Sequence, residues 1–377
     1  MKVAILAEFP LHFIPEFGER YRPGGHYATW LPQLAEAFES FPDLEIHWIT
    51  LCSLLTTPME VTWKKQKFHI LPTETSSRAT TLYAKDRHRI RTVLDTIRPH
   101  LVHGWGSEDV YGLAAVQSGF PNIVSMQGIL SHYIFKTKMH PRVYLQALIE
   151  IFILWRAGCI TVESAWGRAC VLRRNPFARV SLVEYGVQPH FFDVAWTPDP
   201  EKPAAIFIGS ITARKGIQDL VAAFRDPALA HAELRVVGGD AGEWGERLRA
   251  GAPDNVRWLG RKTSQEAAEL LGRAWCLALP TRADTSPNVV KEARVIGLPV
   301  VSTPCGGQSS YVENGSNGFL VAPGDIRTLV DKLQSLLSNL DFCRSQGAYK
   351  HPEQRRFFDP HQTAEGFRRI YLERSAL

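Results

Sequence analysis

No two cysteines in this 377-residue chain stand as a CxxC pair. Cys52, Cys159, Cys170, Cys276, Cys305 and Cys343 are scattered, which excludes a zinc ribbon, a redox dithiol and a disulfide scaffold, and makes a reducing compartment the expected home. Also missing is any run of about 20 apolar residues, the length a membrane helix needs. The nearest stretch, Val143 to Trp155, is too short and contains Glu150. There is no stripe of Lys and Arg interleaved with aromatics, and a net charge of +5 is mild for this length. Nucleic acid is therefore not an expected partner, whereas an anionic ligand or a membrane surface is compatible. The opening MKVAILAEF lacks a cleavage-like site and continues into acidic and aromatic residues, so it reads as a first strand rather than a signal peptide. A cytoplasmic location is expected.

What is present is material for two hydrophobic cores: 45% hydrophobic and 21% charged residues, at a length beyond the usual limit of one core. Short apolar runs recur at Lys2 to Ala7, 45 to 51, 100 to 106, 122 to 126, 159 to 163 and 180 to 184. The segments between several of them are long enough for helices, which is the βαβ rhythm of an open parallel sheet. A loop with Gly24 and Gly25 separates the first strand from a helical pattern, YATWLPQLAEAF. Such a loop serves equally as an anion-binding turn or as a plain tight turn. His103, Gly104, Gln127, Gly128 and His132 follow such runs and are expected at strand carboxyl ends, where open parallel sheets place ligands.

WTPDPEKP, residues 196–203, holds three prolines in eight residues and suits an extended linker. After it a second α/β rhythm begins with AAIFIGS (204–210), a TARKG loop and a helical IQDLVAAF. The expected organisation is an N-terminal domain over 1–195, the linker 196–203, a C-terminal domain over 204–355 and a final amphipathic helix within 356–377. A cleft between two such domains is the expected ligand site.

Two loops of the second half carry groups suited to an anionic, sugar-bearing ligand. Arg214 and Lys215 follow a strand, and Gly216 permits close backbone approach at a helix start; a solvated pair in a turn is the plainer alternative. In the stretch from Leu279 to Asp325, Pro287 suits a first helical turn, so Ser286, Asn288, Val289 and Val290 offer a second cradle of amides. Asp284 and Glu292 lie eight positions apart, too far to stack on one helix face. Asp284 is expected in the loop and Glu292 inside the helix, each accepting hydrogen bonds from a different part of one ligand, or else both as ordinary surface acids.

The same stretch resembles the retaining GT-B glycosyltransferases of family 4, the glycosyl transferases group 1. The shared pattern stands here as Asp284, Glu292-Ala293, Gly297-Leu298-Pro299-Val300-Val301, Gly306-Gly307 and Asn317-Gly318-Phe319-Leu320-Val321. Weaker matches are Gly24-Gly25, His103-Gly104, Gln127-Gly128, Gly186-Val187, the loop from Gly209 through Ser210 to Gly216, and Val237-Gly238-Gly239. The resemblance implies two Rossmann-like domains facing a cleft, with the last helix crossing back to the N-terminal domain. It implies a nucleoside-diphosphate sugar, UDP- or GDP-linked, as co-substrate, with no cofactor or metal required, and a glycan or lipid-linked acceptor held by the N-terminal domain. In that scheme Lys215 binds the diphosphate, Asp284 faces the transferred sugar, Glu292 contacts the ribose, and Asn288, Val289 and Val290 lie near phosphate and sugar.

Four positions depart from the family pattern: Asp284 replaces Glu, Ser210 replaces Arg, Gln127 replaces His, and Ser310 stands where an acid is common. Either Arg214 substitutes for the missing arginine or Lys215 holds the diphosphate alone, and His132 is a candidate stand-in for the missing histidine. An isomerase on the same fold and a nucleotide-sugar-binding module without catalysis are the alternative readings. Lys136, Lys138, His140 and Arg142 precede the apolar segment 143–155. That pairing suits peripheral contact with an anionic membrane, or a buried helix behind a solvated basic loop.

Overall fold

The computed structural model describes residues 1–21, 28, 30–74, 78–134, 140–239 and 242–375. Gly24, Gly25, Lys136 and Lys138 lie outside the described residues. The chain divides into two compact units: Met1–Gly186 together with Pro360–Leu377, and Val187–Asp359.

The first unit is built on eight strands: β1 (Lys2–Leu6), β2 (Glu45–Cys52), β3 (Met59–Trp63), β4 (Gln66–Pro72), β5 (Leu101–Trp105), β6 (Asn122–Ser125), β7 (Ile160–Val162) and β8 (Val180–Leu182). Their spatial order is β3-β4-β2-β1-β5-β6-β7-β8, parallel throughout except where β3 pairs antiparallel with β4. The continuous apolar character of β1 follows from burial on both faces. Val3 and Ile5 point into one core with Trp48, Phe68 and Phe367, while Ala4 and Leu6 point into another with Leu94, Val110 and Ile153. The helix Pro360–Ser375 completes the first of these cores through Ala364, Phe367, Ile370 and Tyr371.

The second unit holds β9 (Ala204–Ile208), β10 (Glu233–Val237), β11 (Val256–Gly260), β12 (Cys276–Leu279), β13 (Val300–Ser302) and β14 (Gly318–Leu320). The order is β11-β10-β9-β12-β13-β14, all parallel. The strands after β9 run to one side and those from β12 to the other, so the topology reverses between β9 and β12. In the first unit it reverses between β1 and β5. Ligands of open parallel sheets bind at such points, beyond the carboxyl ends of the strands.

Residues 196–203 are a strap on the second unit rather than a free linker. Trp196 Nε1 donates to Ala274 O at 2.7 Å, Thr197 N donates to Gly272 O at 2.8 Å, and Trp275 Nε1 donates to Asp199 O at 2.8 Å. The division between the units falls instead after Gly186 and before Pro360. Phe358, inside the expected final segment, is fully buried in the second core. Asn317-Gly318-Phe319-Leu320-Val321, a turn by the family resemblance, contributes β14.

Candidate functional site

The loop after β9 and the loop after β12 are tied together by hydrogen bonds before any ligand is considered. Arg282 N donates to Arg214 O at 2.7 Å, and Thr281 Oγ1 donates to the same oxygen at 3.1 Å. Arg214 Nη1 returns a bond of 2.7 Å to Ala283 O, the carbonyl next to Asp284. Arg282 holds Asp219, at the start of the following helix, with two nitrogens at 2.9 Å. Gly216 lets the two loops approach this closely: its φ is +78°, and a Cβ there would stand 2.0 Å from Pro280 O.

This frame sets Lys215 beside Asp284. The Lys215 ammonium is hydrogen-bonded to Asp284 Oδ2, with the two side chains only 16% and 14% exposed. The backbone of Asp284 is fixed from its other side by the turn after β13. Asp284 N donates to Cys305 O at 3.2 Å and Gly307 N donates to Asp284 O at 3.2 Å. Gly306 has φ +152°, and a Cβ on it would fall 1.6 Å from Asp284 O, so no other residue fits against this carbonyl.

The helix Asn288–Ile296 begins four residues beyond Asp284, behind Pro287, which makes no side-chain cap bond. The start of the helix carries the positive end of its dipole, which favours an anion, while Val290 N is already committed to Pro287 O at 3.0 Å. Ser286 Oγ is held by Tyr311 Oη at 2.8 Å. Glu292 lies on the second turn and is partly exposed. The surrounding protein strips enough water from its carboxyl to raise it from 4.5 to about 7, with Lys291 pulling weakly the other way. The far side of the helix is anchored by Arg294, which is fully buried and donates to Leu298 O at 2.8 Å, Tyr349 O at 2.8 Å and Gln354 Oε1 at 2.6 Å. Gly209 N donates to Val237 O at 3.0 Å, and Ser210 beyond it is exposed. The structure therefore gathers Lys215, Asp284, Arg214 and Gly216 at one place, the switch point between β9 and β12, with the start of the Asn288 helix adjoining it in sequence.

A family model described as glycosyl transferases group 1 matches residues 202–339, the span that contains these groups. Sucrose-phosphate synthase from Thermosynechococcus elongatus superposes with a TM-score of 0.79 at 19% identity, covering 99% of this chain and 98% of that one. The chain has the GT-B glycosyltransferase fold. The structure of HepE from Anabaena in complex with UDP and glucose superposes with a TM-score of 0.71 at 15% identity, covering 99% and 100% of the two chains. In sequence, sulfoquinovosyl transferase SQD2 from Arabidopsis thaliana is 32% identical over 143 residues, which is 37% of this chain and 27% of that protein. The matched segments span from about a quarter to about half of the curated relatives' own length.

In this GT-B chain the first unit treats its sequence candidates unevenly. His103 is not beyond the end of a strand: it is the third residue of β5 and fully buried. Its Nδ1 meets Tyr371 Oη at 2.7 Å and its Nε2 meets Ser125 Oγ at 2.7 Å, while burial holds it down to about 3 and therefore neutral. A side chain with both nitrogens engaged inside the sheet is a fixture of the core. His132 packs edge-on against Trp166, with Nδ1 3.8 Å from Cys170 Sγ. Gln127 does lie at a strand end, with its amide beside Gly106.

Two acids that sequence reasoning does not single out as site residues, Glu108 and Glu150, shape this region. Glu108 Oε2 accepts from Ser107 N at 2.9 Å, and burial pushes its carboxyl up to about 7. Glu150 is fully buried and accepts from Leu130 N at 2.9 Å, Ser131 N at 3.0 Å and Ser107 Oγ at 2.8 Å, which joins the loops after β5 and β6. Arg78, Tyr83, Glu108, Asp109, Arg142 and Gln146 line a cavity of about 200 Å3 beside the reversal between β1 and β5. An acid following a strand-end glycine, as in Gly106-Ser107-Glu108, was the available signal. Among the described residues no cluster of three or more His, Cys, Asp or Glu side chains is placed to hold a metal ion. No helix among them is long and apolar enough to cross a membrane.

Proposed function

We propose that this protein is a retaining glycosyltransferase of family 4 that moves a hexose from a nucleoside-diphosphate sugar to a glycan or lipid-linked acceptor. The observation that carries the reading is the meeting of Lys215 and Asp284 at the β9/β12 switch point, next to the start of the Asn288–Ile296 helix. A cation and the positive end of a helix dipole suit a diphosphate, and a carboxylate suits sugar hydroxyls. The UDP and glucose bound by HepE support UDP over GDP and a hexose as the transferred group.

In this reading the second unit binds the donor. The loop through Gly209, Ser210 and Gly216 lies along the diphosphate, with Gly209 N and Gly216 N already committed to Val237 O and Ala213 O, and Ser286, Asn288 and Val289 line the cradle ahead of Val290, whose N is committed to Pro287 O. Glu292 accepts from the ribose hydroxyls, and Asp284 accepts from a hydroxyl of the transferred sugar. As the bond from the anomeric carbon to the diphosphate oxygen breaks, the electron pair leaves with the diphosphate, and Lys215 offsets the growing charge. The acceptor oxygen bonds to the same carbon on the face the diphosphate vacates and gives its proton to the departing diphosphate oxygen. Arg214, committed to Ala283 O, is a positioning residue that aims Asp284. The first unit takes the acceptor, with the cavity lined by Glu108 and Asp109 as its seat. No cofactor beyond the donor enters the scheme.

Incubation with a panel of UDP- and GDP-hexoses, followed by nuclear magnetic resonance of the anomeric proton, tests this. Release of nucleoside diphosphate with a product of unchanged anomeric configuration is expected. An isomerised nucleotide sugar, or binding without turnover for every donor and acceptor tried, contradicts it.

A further inference from the structure

The helix Pro141–Arg156 of the first unit carries an apolar face turned to solvent. Tyr144, Leu148, Ile151, Phe152 and Trp155 are all exposed, Leu148 at 65% and Trp155 at 54%. At the angular step of an α-helix these five fall within an arc of about 100°. Ala147, Ile149, Glu150, Ile153 and Leu154 occupy the buried side. The loop after the helix Ala165–Leu172 extends this face, because Asn175 Nδ2 donates to Leu154 O at 2.9 Å and so fixes the loop beside the helix end. On that loop Phe177 is 85% exposed. Of the thirteen exposed large apolar side chains among the described residues, seven lie between Tyr144 and Leu182, so they form a concentration rather than the ordinary scatter.

Basic side chains outnumber exposed acids along the same stretch. From Val110 to Val183 the described residues hold six arginines against two carboxylates, Glu150 and Glu163. Both acids are buried, at 0% and 8% exposure, whereas Arg156, Arg168, Arg173 and Arg179 are exposed. The described residues of this stretch therefore display aromatic and aliphatic side chains among arginines, with no exposed carboxylate among them.

We propose that this face docks on the surface of an anionic lipid bilayer. Trp, Tyr and Phe settle at the level of the headgroups, aliphatic side chains enter the acyl boundary, and arginines meet lipid phosphates. A second copy of the chain suits the face poorly, because a two-fold contact would set arginines against arginines without acids to pair them. On its other side the same helix borders the cavity of the first unit: Gln146 Nε2 donates to Glu108 O at 2.8 Å, and Arg142 lines the cavity. Docking would thus bring that cavity to the membrane, where a lipid-linked acceptor resides. Only this last step rests on the transferase reading.

Co-sedimentation of the full chain with vesicles of phosphatidylcholine, with and without phosphatidylglycerol, tests the docking without any nucleotide. The protein is expected to sediment with the anionic vesicles, to remain in solution with the neutral ones, and to be released by salt. The double variant Phe152→Ser/Trp155→Ser, and separately Arg173→Glu/Arg179→Glu, should each lower binding by about tenfold or more, with melting temperature and monomeric elution unchanged. If the serine variant fails to fold, the charge variant gives the same reading. Equal sedimentation with both vesicle types, none with either, or undiminished binding by the charge variant overturns the proposal. So does a wild-type dimer that the serine variant converts to monomer.

Discussion

Glu292 is the side chain whose environment is furthest from its ordinary value in the proposed donor site. Burial raises its carboxyl from 4.5 to about 7. Between those values the folded protein holds a proton that the unfolded chain has released, so stability falls as pH rises through this window, and above about 7 the full penalty stands. Glu292→Gln is therefore expected to raise unfolding stability by about 1–3 kcal/mol near pH 8 and by almost nothing near pH 4. Urea denaturation at the two pH values measures this, and an equal effect at both would remove the desolvation argument. Lys215 and Asp284 show the opposite arrangement, two charges that satisfy each other at partial burial. Removing either leaves its partner poorly solvated and without its ion pair. His103 illustrates where residue type misleads. A histidine near a strand end reads as a candidate ligand, yet the partner that occupies its Nδ1 is Tyr371, 268 positions away, and no local pattern announces that bond.

At the scale of elements, the strands of both sheets were legible because parallel strands buried on two faces read as short apolar runs. The exceptions are β14, whose residues match a family turn pattern, and the β3–β4 hairpin. The turn of the hairpin is made by Lys64 and Lys65, both with positive φ, at +50° and +57°. Hairpin turns of this kind usually show Gly or Asn, so the turn chemistry was absent from the sequence and the hairpin with it. The strap over 196–203 was misread for a related reason. Its prolines signal extended backbone, but the bonds from Trp196 and Trp275 that attach it depend on tertiary neighbours. The turn after β13 was legible as a glycine pair, and its purpose is now physical: Gly306 admits the carbonyl of Asp284. Gly306→Ala is expected to lower stability by at least about 2 kcal/mol and to reduce donor turnover, since its Cβ would displace the Asp284 backbone. Thermal melting together with turnover checks this, and wild-type values in both would show that the loop yields at little cost.

Over the whole molecule, the organisation into two α/β units could be read from the repeat of the strand and helix rhythm, while the points of division could not. They fall at Gly186 and Pro360, where the last helix leaves the second unit to complete the core of the first. That helix contributes the hydroxyl of Tyr371 to buried His103. Tyr371→Phe is expected to destabilise the first unit by about 1–2 kcal/mol, because a buried ring nitrogen loses its partner, and to leave UDP affinity unchanged. Calorimetric melting and UDP titration separate the two effects, and a fall in UDP affinity would contradict the assignment of donor binding to the second unit.

In the proposed reaction Lys215 offsets charge on a departing nucleoside diphosphate. The most direct measurement is the rate of UDP release from a UDP-hexose by the wild-type protein and by Lys215→Ala, with UDP binding by both established beforehand. The reading predicts steady release by the wild type and a rate lower by about 10²–10³-fold in the variant, at saturating donor. Equal rates in the two proteins would contradict it.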